Sequence, residues 1–269
     1  MLSDAQRELL VARLRKGRGE APGGIVRRPA GTTDLPLSFG QEQLWFMDRF
    51  APGLPTYNIP AGLWLRGALD AGALRRALDG IVARHEALRT RLVNGVDGRP
   101  YQVIDAPSGA ALTVVDLSGT ERPEAGMREL AAEEALRPFV LAEGPLFRAH
   151  LVRLAAEVHV LVIVVHHVAF DGWSIGVLLQ ELTTLYGAEV SGEPPELEEL
   201  PVQFADYALW ERERNKDAPP KELVEYWREN LRDFPTLQMP TDRSRPALDS
   251  FDGAVEWLDM GGEVLAGLR

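Results

Sequence analysis

The sequence predicts an α/β fold. Helical and extended patterns alternate along most of the chain, and one run, residues 160–165, is apolar without alternation, as a central strand covered on both faces requires. The chain is also large enough to bury a core, with 269 residues of which 45% are apolar and 26% charged.

Each element has its own signal. Ser3 followed by Gln6 has the form of a capping box, and Leu9, Leu10, Val11 and Leu14 make an apolar stripe. Residues 1–18 are therefore predicted to be one helix, a linker or docking appendage. Residues 19–34, rich in Gly, Pro, Arg and Thr without period, read as a flexible linker. Residues 41–50 read as a helix that Pro52-Gly-Leu-Pro ends, and 59–66 as a strand. Asp70 suits the N-cap of a helix whose Leu74, Leu78, Ile81, Val82 and Leu88 share a face. Strands are predicted at 101–104, 112–117 and 146–154, with a helix over 123–137. Residues 157–167 carry the strongest strand signal. Ser174 is placed to cap the helix after it, which has Ile175, Val177, Leu178, Leu182 and Leu185 apolar and ends at Ser191-Gly-Glu-Pro-Pro. Two more helices are predicted at 204–214 and 220–231, then a strand near 254–259 and a helical pattern from Gly262.

Composition removes several functions. The 29 Lys and Arg against 40 Asp and Glu give a formal charge of −11, which disfavours a grip on nucleic-acid phosphates. With no cysteine, thiolate nucleophiles, disulfides and sulfur-ligated metals are excluded. The most apolar stretch, 158–170, is interrupted by His159, His166 and His167 and falls short of the roughly 20 residues a spanning helix needs. The charged amino terminus does not resemble a signal peptide, so the cytoplasm is expected and no membrane partner. No Gly-x-Ser-x-Gly elbow, His-Glu-x-x-His helix or phosphate-cradling Gly-Lys-Ser/Thr loop is present.

The chemistry concentrates in His166-His-Val-Ala-Phe-Asp-Gly-Trp-Ser174. Neighbouring residues on a strand point to opposite faces, so if the strand persists through both histidines they cannot share one metal ion. One can face a cleft as a base while the other packs inside. Asp171-Gly172 permits a tight turn before the next helix. His85, His150 and His159 read as structural, and Trp45, Trp210 and Trp227 as core aromatics.

His166-His-Val-Ala-Phe-Asp-Gly172 resembles the His-His-x-x-x-Asp-Gly signature of nonribosomal peptide synthetase condensation domains, members of the chloramphenicol acetyltransferase-like superfamily. Leu37-Ser-Phe-Gly-Gln-Glu-Gln-Leu-Trp45, Arg84-His-Glu-Ala-Leu-Arg-Thr90 and Phe204-Ala-Asp-Tyr-Ala-Leu-Trp210 match the same family in the same order. Departures are mild: Gly40 replaces alanine, Gln43 arginine, Leu92 phenylalanine, Val165 methionine and Phe204 tyrosine. The resemblance implies an α+β sandwich, a mixed sheet flanked by helices. Residues 35–245 would be the N-terminal lobe and 246–269 the start of a C-terminal lobe.

By that resemblance His167 is catalytic, in amide formation between an upstream aminoacyl or peptidyl thioester and a downstream aminoacyl thioester. His166, Asp171, Arg89 and Arg84 would support the site, with Asp171 paired to Arg89 or, second, to Arg84. Gly172, Trp173 and Ser174 would line the substrate channel. No cofactor or metal is implied for the domain itself, because the substrates ride on 4′-phosphopantetheine arms. The implied partners are upstream and downstream peptidyl carrier domains and an adenylation domain, in antibiotic or siderophore biosynthesis. The subtype suggested by Gln41-x-x-Leu-Trp45 and the intact arginine segment is LCL, which takes an L-configured donor. The alternatives are an epimerisation-type domain or a non-catalytic docking module. Family members run to roughly twice this length, so the fragment alone is expected to condense nothing.

Overall fold

The computed structural model describes residues 24–110, 112–216, 221–235, 237–243, 258 and 261–268. The helix expected at 1–18 and, apart from residue 258, the strand expected near 254–259 lie outside them. The chain divides into two compact units, residues 1–218 and 219–269.

In the first unit, helix α1 (Phe39–Phe50) opens on a capping box: the Ser38 hydroxyl accepts the Gln41 N–H, and the Gln41 side chain accepts the Ser38 N–H. Strand β1 (Asn58–Arg66) follows, then α2 (Ala71–Arg84), capped by Asp70 as expected. A short 3₁₀ turn, Glu86–Arg89, leads into β2 (Thr90–Asn94), which pairs antiparallel with β3 (Pro100–Ile104). Next come β4 (Leu112–Asp116), α3 (Pro123–Leu136), β5 (Phe147–Ala155), β6 (Val158–His166), α4 (Gly172–Ser191) and α5 (Phe204–Arg214).

The main sheet has the order β1-β6-β5-β4. Its first two pairings are antiparallel and β4–β5 is parallel, so the sheet is mixed, as expected. All but the first residue of β6 is buried, and the side-chain alternation of a strand sorts them. Leu161, Ile163 and Val165 pack with Leu74 and Leu78 of α2 and Leu178 and Leu182 of α4. Val160 and Val162 pack with Met127 of α3, while Val164 meets Leu37, Leu92 and Phe139. Each such side chain withdrawn from water contributes ~1.5–3 kcal/mol, which places the core on both faces of β6.

Two elements differ from expectation. Strand β2 was not foreseen; its signal is Asp97-Gly98, a hairpin dipeptide whose Gly98 has φ +78°. Helix α4 starts at Gly172 with Asp171, not Ser174, as its N-cap. Residues 24–34, within the expected linker, form no helix or strand but are tied down. Arg28 donates to Glu86 at 2.7 Å and to Asp206 at 2.8 Å, and Asp206 is 1% exposed. In the second unit the described helices are α6 (Lys221–Asn230) and α7 (Gly262–Leu268), and Trp227 is exposed on α6 rather than in a core. No described helix is long and apolar enough to cross a membrane.

Candidate active site

Strand alternation decides what the two histidines do. His166, in phase with Val162 and Val164, falls on the face toward Phe139, whose ring meets the imidazole at 5.9 Å and 85°. The strand ends there, and His167 turns out to solvent. Both backbones are pinned from the flanks. The carbonyl before β5, that of Leu146, accepts the His166 N–H at 3.0 Å, and that of Tyr57, before β1, accepts the His167 N–H at 2.8 Å.

The two rings hold opposite tautomers. Val168 N–H donates to His166 Nδ1 at 3.1 Å, so that nitrogen carries the lone pair and Nε2 the proton. Burial, and then the adjacent His167, pushes the His166 pKa down to about 4. His166 is therefore a neutral packing residue. His167 Nδ1 lies 2.8 Å from the Phe170 carbonyl, which can only accept, so Nδ1 carries a proton and, in the neutral ring, Nε2 is the nitrogen with the lone pair. His167 lines a cleft of about 490 Å³ together with Gln43 and Leu44 of α1, Tyr57, Ser174 and Phe204. The arrangement can accept a proton from a group delivered into the cleft.

The neutral state of His166 has a pH consequence. A base whose folded pKa is depressed stabilises the fold fully above its unfolded value, near ~6.5, and loses that stability as pH falls toward about 4. Urea unfolding at pH 5 should give roughly 2 kcal/mol less stability than at pH 7 from this group, and a His166→Gln variant should lack that part of the slope.

Among the described residues Asp171 pairs with no arginine, contrary to expectation. It is exposed, and its Oδ1 accepts the Ser174 N–H at 2.9 Å and the Ser174 hydroxyl at 2.6 Å. The hydroxyl bond first, then the backbone bond, hold its carboxyl below the usual range. A carboxylate at the N-cap is satisfied by these donors and by water, so it needs no counter-charge. The arginines go elsewhere. Arg84 donates to Glu181 Oε1 at 3.0 Å, and Arg89 bonds to the carbonyl of Asp105. Asp171→Ala should therefore cost about 1 kcal/mol in a denaturant melt, the value of a cap, and leave the protein soluble.

Of the residues expected to line a channel, Ser174 borders the cleft. Gly172 and Trp173 sit on the exposed first turn of α4; a Cβ at Gly172 would meet no atom within 4 Å, and Trp173 is 86% exposed. Sequence reasoning missed Glu181. It is 6% exposed, and its Oε2 lies 2.6 Å from His85 Nε2. The signal was present: a carboxylate between Leu178 and Leu182 falls inside the apolar stripe of α4, where it must find a cation.

A mixed-sheet lobe that presents one imidazole lone pair at a cleft, just past the end of an inner strand, defines a class of histidine-bearing domains. The family profile described as Condensation domain matches residues 32–269, and the chain belongs to that family. It is 45% identical over 239 residues to a linear gramicidin synthase of Brevibacillus parabrevis, covering 87% of this chain and 3% of that protein. It is 40% identical over 273 residues to phosphinothricin tripeptide synthetase PhsC of Streptomyces viridochromogenes, covering 100% and 25%. Among solved structures it is similar to the first condensation domain of the calcium-dependent antibiotic synthetase with a substrate analogue, with TM-score 0.69, 25% identity and coverage of 76% and 49%. It is also similar to the teicoplanin X-domain in complex with OxyB, with TM-score 0.70, 32% identity and coverage of 85% and 50%. The chain thus spans about half the length of these solved relatives and a small part of the synthetases. The fold is the chloramphenicol acetyltransferase-like one expected.

Proposed function

We propose that this chain supplies the histidine-bearing half of a condensation domain acting in nonribosomal peptide synthesis. The α-amine of a downstream aminoacyl group attacks the thioester carbonyl of an upstream aminoacyl or peptidyl group; the C–N bond forms, the C–S bond breaks and the thiol arm leaves. His167 Nε2 receives the amine proton as the C–N bond forms, and the departing thiolate is protonated in turn. Both substrates arrive on 4′-phosphopantetheine arms of peptidyl carrier domains, with an adenylation domain as neighbour, in the cytoplasm. An L-configured donor fits the motifs of α1 and the arginine segment. Asp171 acts as the cap that starts α4, and Gly172, Trp173 and Ser174 border the arm's approach, while Arg84, through Glu181, ties α4 to the end of α2 and Arg89 holds the Asp105 carbonyl. The single observation that supports this reading is the His167 ring, with Nδ1–H fixed on Phe170 and Nε2 unengaged among the described residues.

The test is amide formation between two loaded carrier proteins, followed by the mass of the dipeptidyl-carrier product, with this chain joined to the remaining half of a family domain. Product is the expected result. The likeness to the X-domain that was solved with OxyB supports a second reading, a docking module. That reading takes over if the joined protein is folded and binds carriers but makes no product.

A further inference from the structure

Helix α3 ends beside the histidines, and side chains from two different strands close its carboxyl end. Asn58 Nδ2, at the start of β1, donates to the carbonyls of Ala135 at 2.8 Å and Arg137 at 3.0 Å. Arg148, from β5, donates to the carbonyls of Glu134 at 3.0 Å, Arg137 at 2.6 Å and Pro138 at 3.2 Å. Its guanidinium also lies 3.8 Å from the centre of the Phe139 ring. The last carbonyls of a helix have no intrahelical donors, so these bonds satisfy that terminus and place a cation at the negative end of the helix dipole.

These donors converge on one step of backbone. Asn58 is the register partner of His166 on β1, and Arg148 lies opposite Val164 on β5, so the two flank the end of β6. The residue before Asn58, Tyr57, gives the carbonyl that holds the His167 N–H. Phe139, which Arg148 covers, is the ring that abuts His166. A shift of the α3 terminus would therefore reach His167 through Tyr57 on one side and through Phe139 and His166 on the other.

We infer that Asn58 and Arg148 are positioning residues: they clamp the end of α3 to both neighbours of β6 and so keep the His167 ring with Nδ1–H on Phe170 and Nε2 toward the cleft. The functional meaning of the clamp rests on His167 as the reacting imidazole. Its test reads the ring itself, so the clamp and the proposed reaction can fail separately.

The experiment is long-range ¹H–¹⁵N spectroscopy of this chain with ¹⁵N-labelled histidine, in which the shifts of the two ring nitrogens report the tautomer. His166, protonated at Nε2, is the internal reference for the opposite state. In the unaltered protein the Nδ1–H form of His167 is expected to dominate. Asn58→Ala and Arg148→Lys should each lower its ratio to the Nε2–H form about fivefold, the scale of one hydrogen bond. Arg153→Ala, on the same strand but engaged with Asp116, should leave the ratio unchanged. The clamp is overturned if folded Asn58→Ala keeps the original ratio, or if Arg153→Ala shifts it equally. Should Arg148→Lys not fold, Asn58→Ala alone decides. A shifted ratio with no amide formation by the joined protein described above would keep the clamp and remove the reaction.

Discussion

His167→Ala is expected to lower amide formation about 10²- to 10⁴-fold, the range of general base catalysis, while changing stability by no more than about 1 kcal/mol. The rate effect follows from chemistry. An α-amine with a pKa near ~8 must shed a proton as the bond to carbon forms, and a neutral imidazole can take it. The small stability effect follows from structure, since the His167 side chain is exposed and its described hydrogen bond is the one to Phe170. His167→Gln separates two roles. If it retains more than roughly a tenth of the rate, His167 orients the amine instead of accepting its proton, because an amide can position but cannot act as a base in this range. Full activity of His167→Ala would remove His167 from the chemical step.

The second large effect lies away from the cleft. Glu181→Ala should destabilise the fold by about 3–5 kcal/mol, the cost of stripping one partner from a buried ionic group. Glu181 is held between Arg84 Nε at 3.0 Å and His85 Nε2 at 2.6 Å, and it links α4 to the end of α2. Without it, the Arg84 guanidinium and the His85 ring, each about a quarter exposed or less, lose their shared partner under the helix. Urea denaturation measures the loss, and a change below about 1 kcal/mol would show that water satisfies both groups. Glu181→Gln should fall between, since its one amide oxygen still accepts from Arg84 while the charge is lost.

Most of the fold was legible because it rests on periodicity. Strand β6 announced itself by uninterrupted burial, α2 by Asp70 and its leucine spacing, and the inward facing of His166 followed from the pleat, whereas His167 lies just past the strand, where the turn sets its direction. What escaped was long-range and polar. Nothing local in Arg84-His-Glu-Ala-Leu-Arg-Thr90 says which carboxylate answers which arginine. Glu181 is 97 residues from Arg84, and the choice over Asp171 is made by where α4 begins and how deep each carboxylate lies. Strand β2 escaped for a different reason: at five residues it is too short for alternation to stand out, and only its turn marked it. The cleft was foreseen as a consequence of one histidine facing out, but its wall of Tyr57, Gln43 and Phe204 is drawn from segments that no single window of sequence joins.

Arg28 sets where this lobe can be trimmed. Its guanidinium answers both Glu86 in the turn after α2 and Asp206 in the first turn of α5. Shortening the protein from its amino terminus up to residue 24 spares those bonds, whereas a cut at 35, where the apolar pattern becomes dense, would strand two carboxylates, one of them wholly shielded. The version that starts at 24 should melt several degrees above the one that starts at 35 in a thermal scan, as loss of a charge-assisted contact implies. An unpatterned strip of sequence, dispensable by every periodic criterion, is in this sense the lobe's first structural residue.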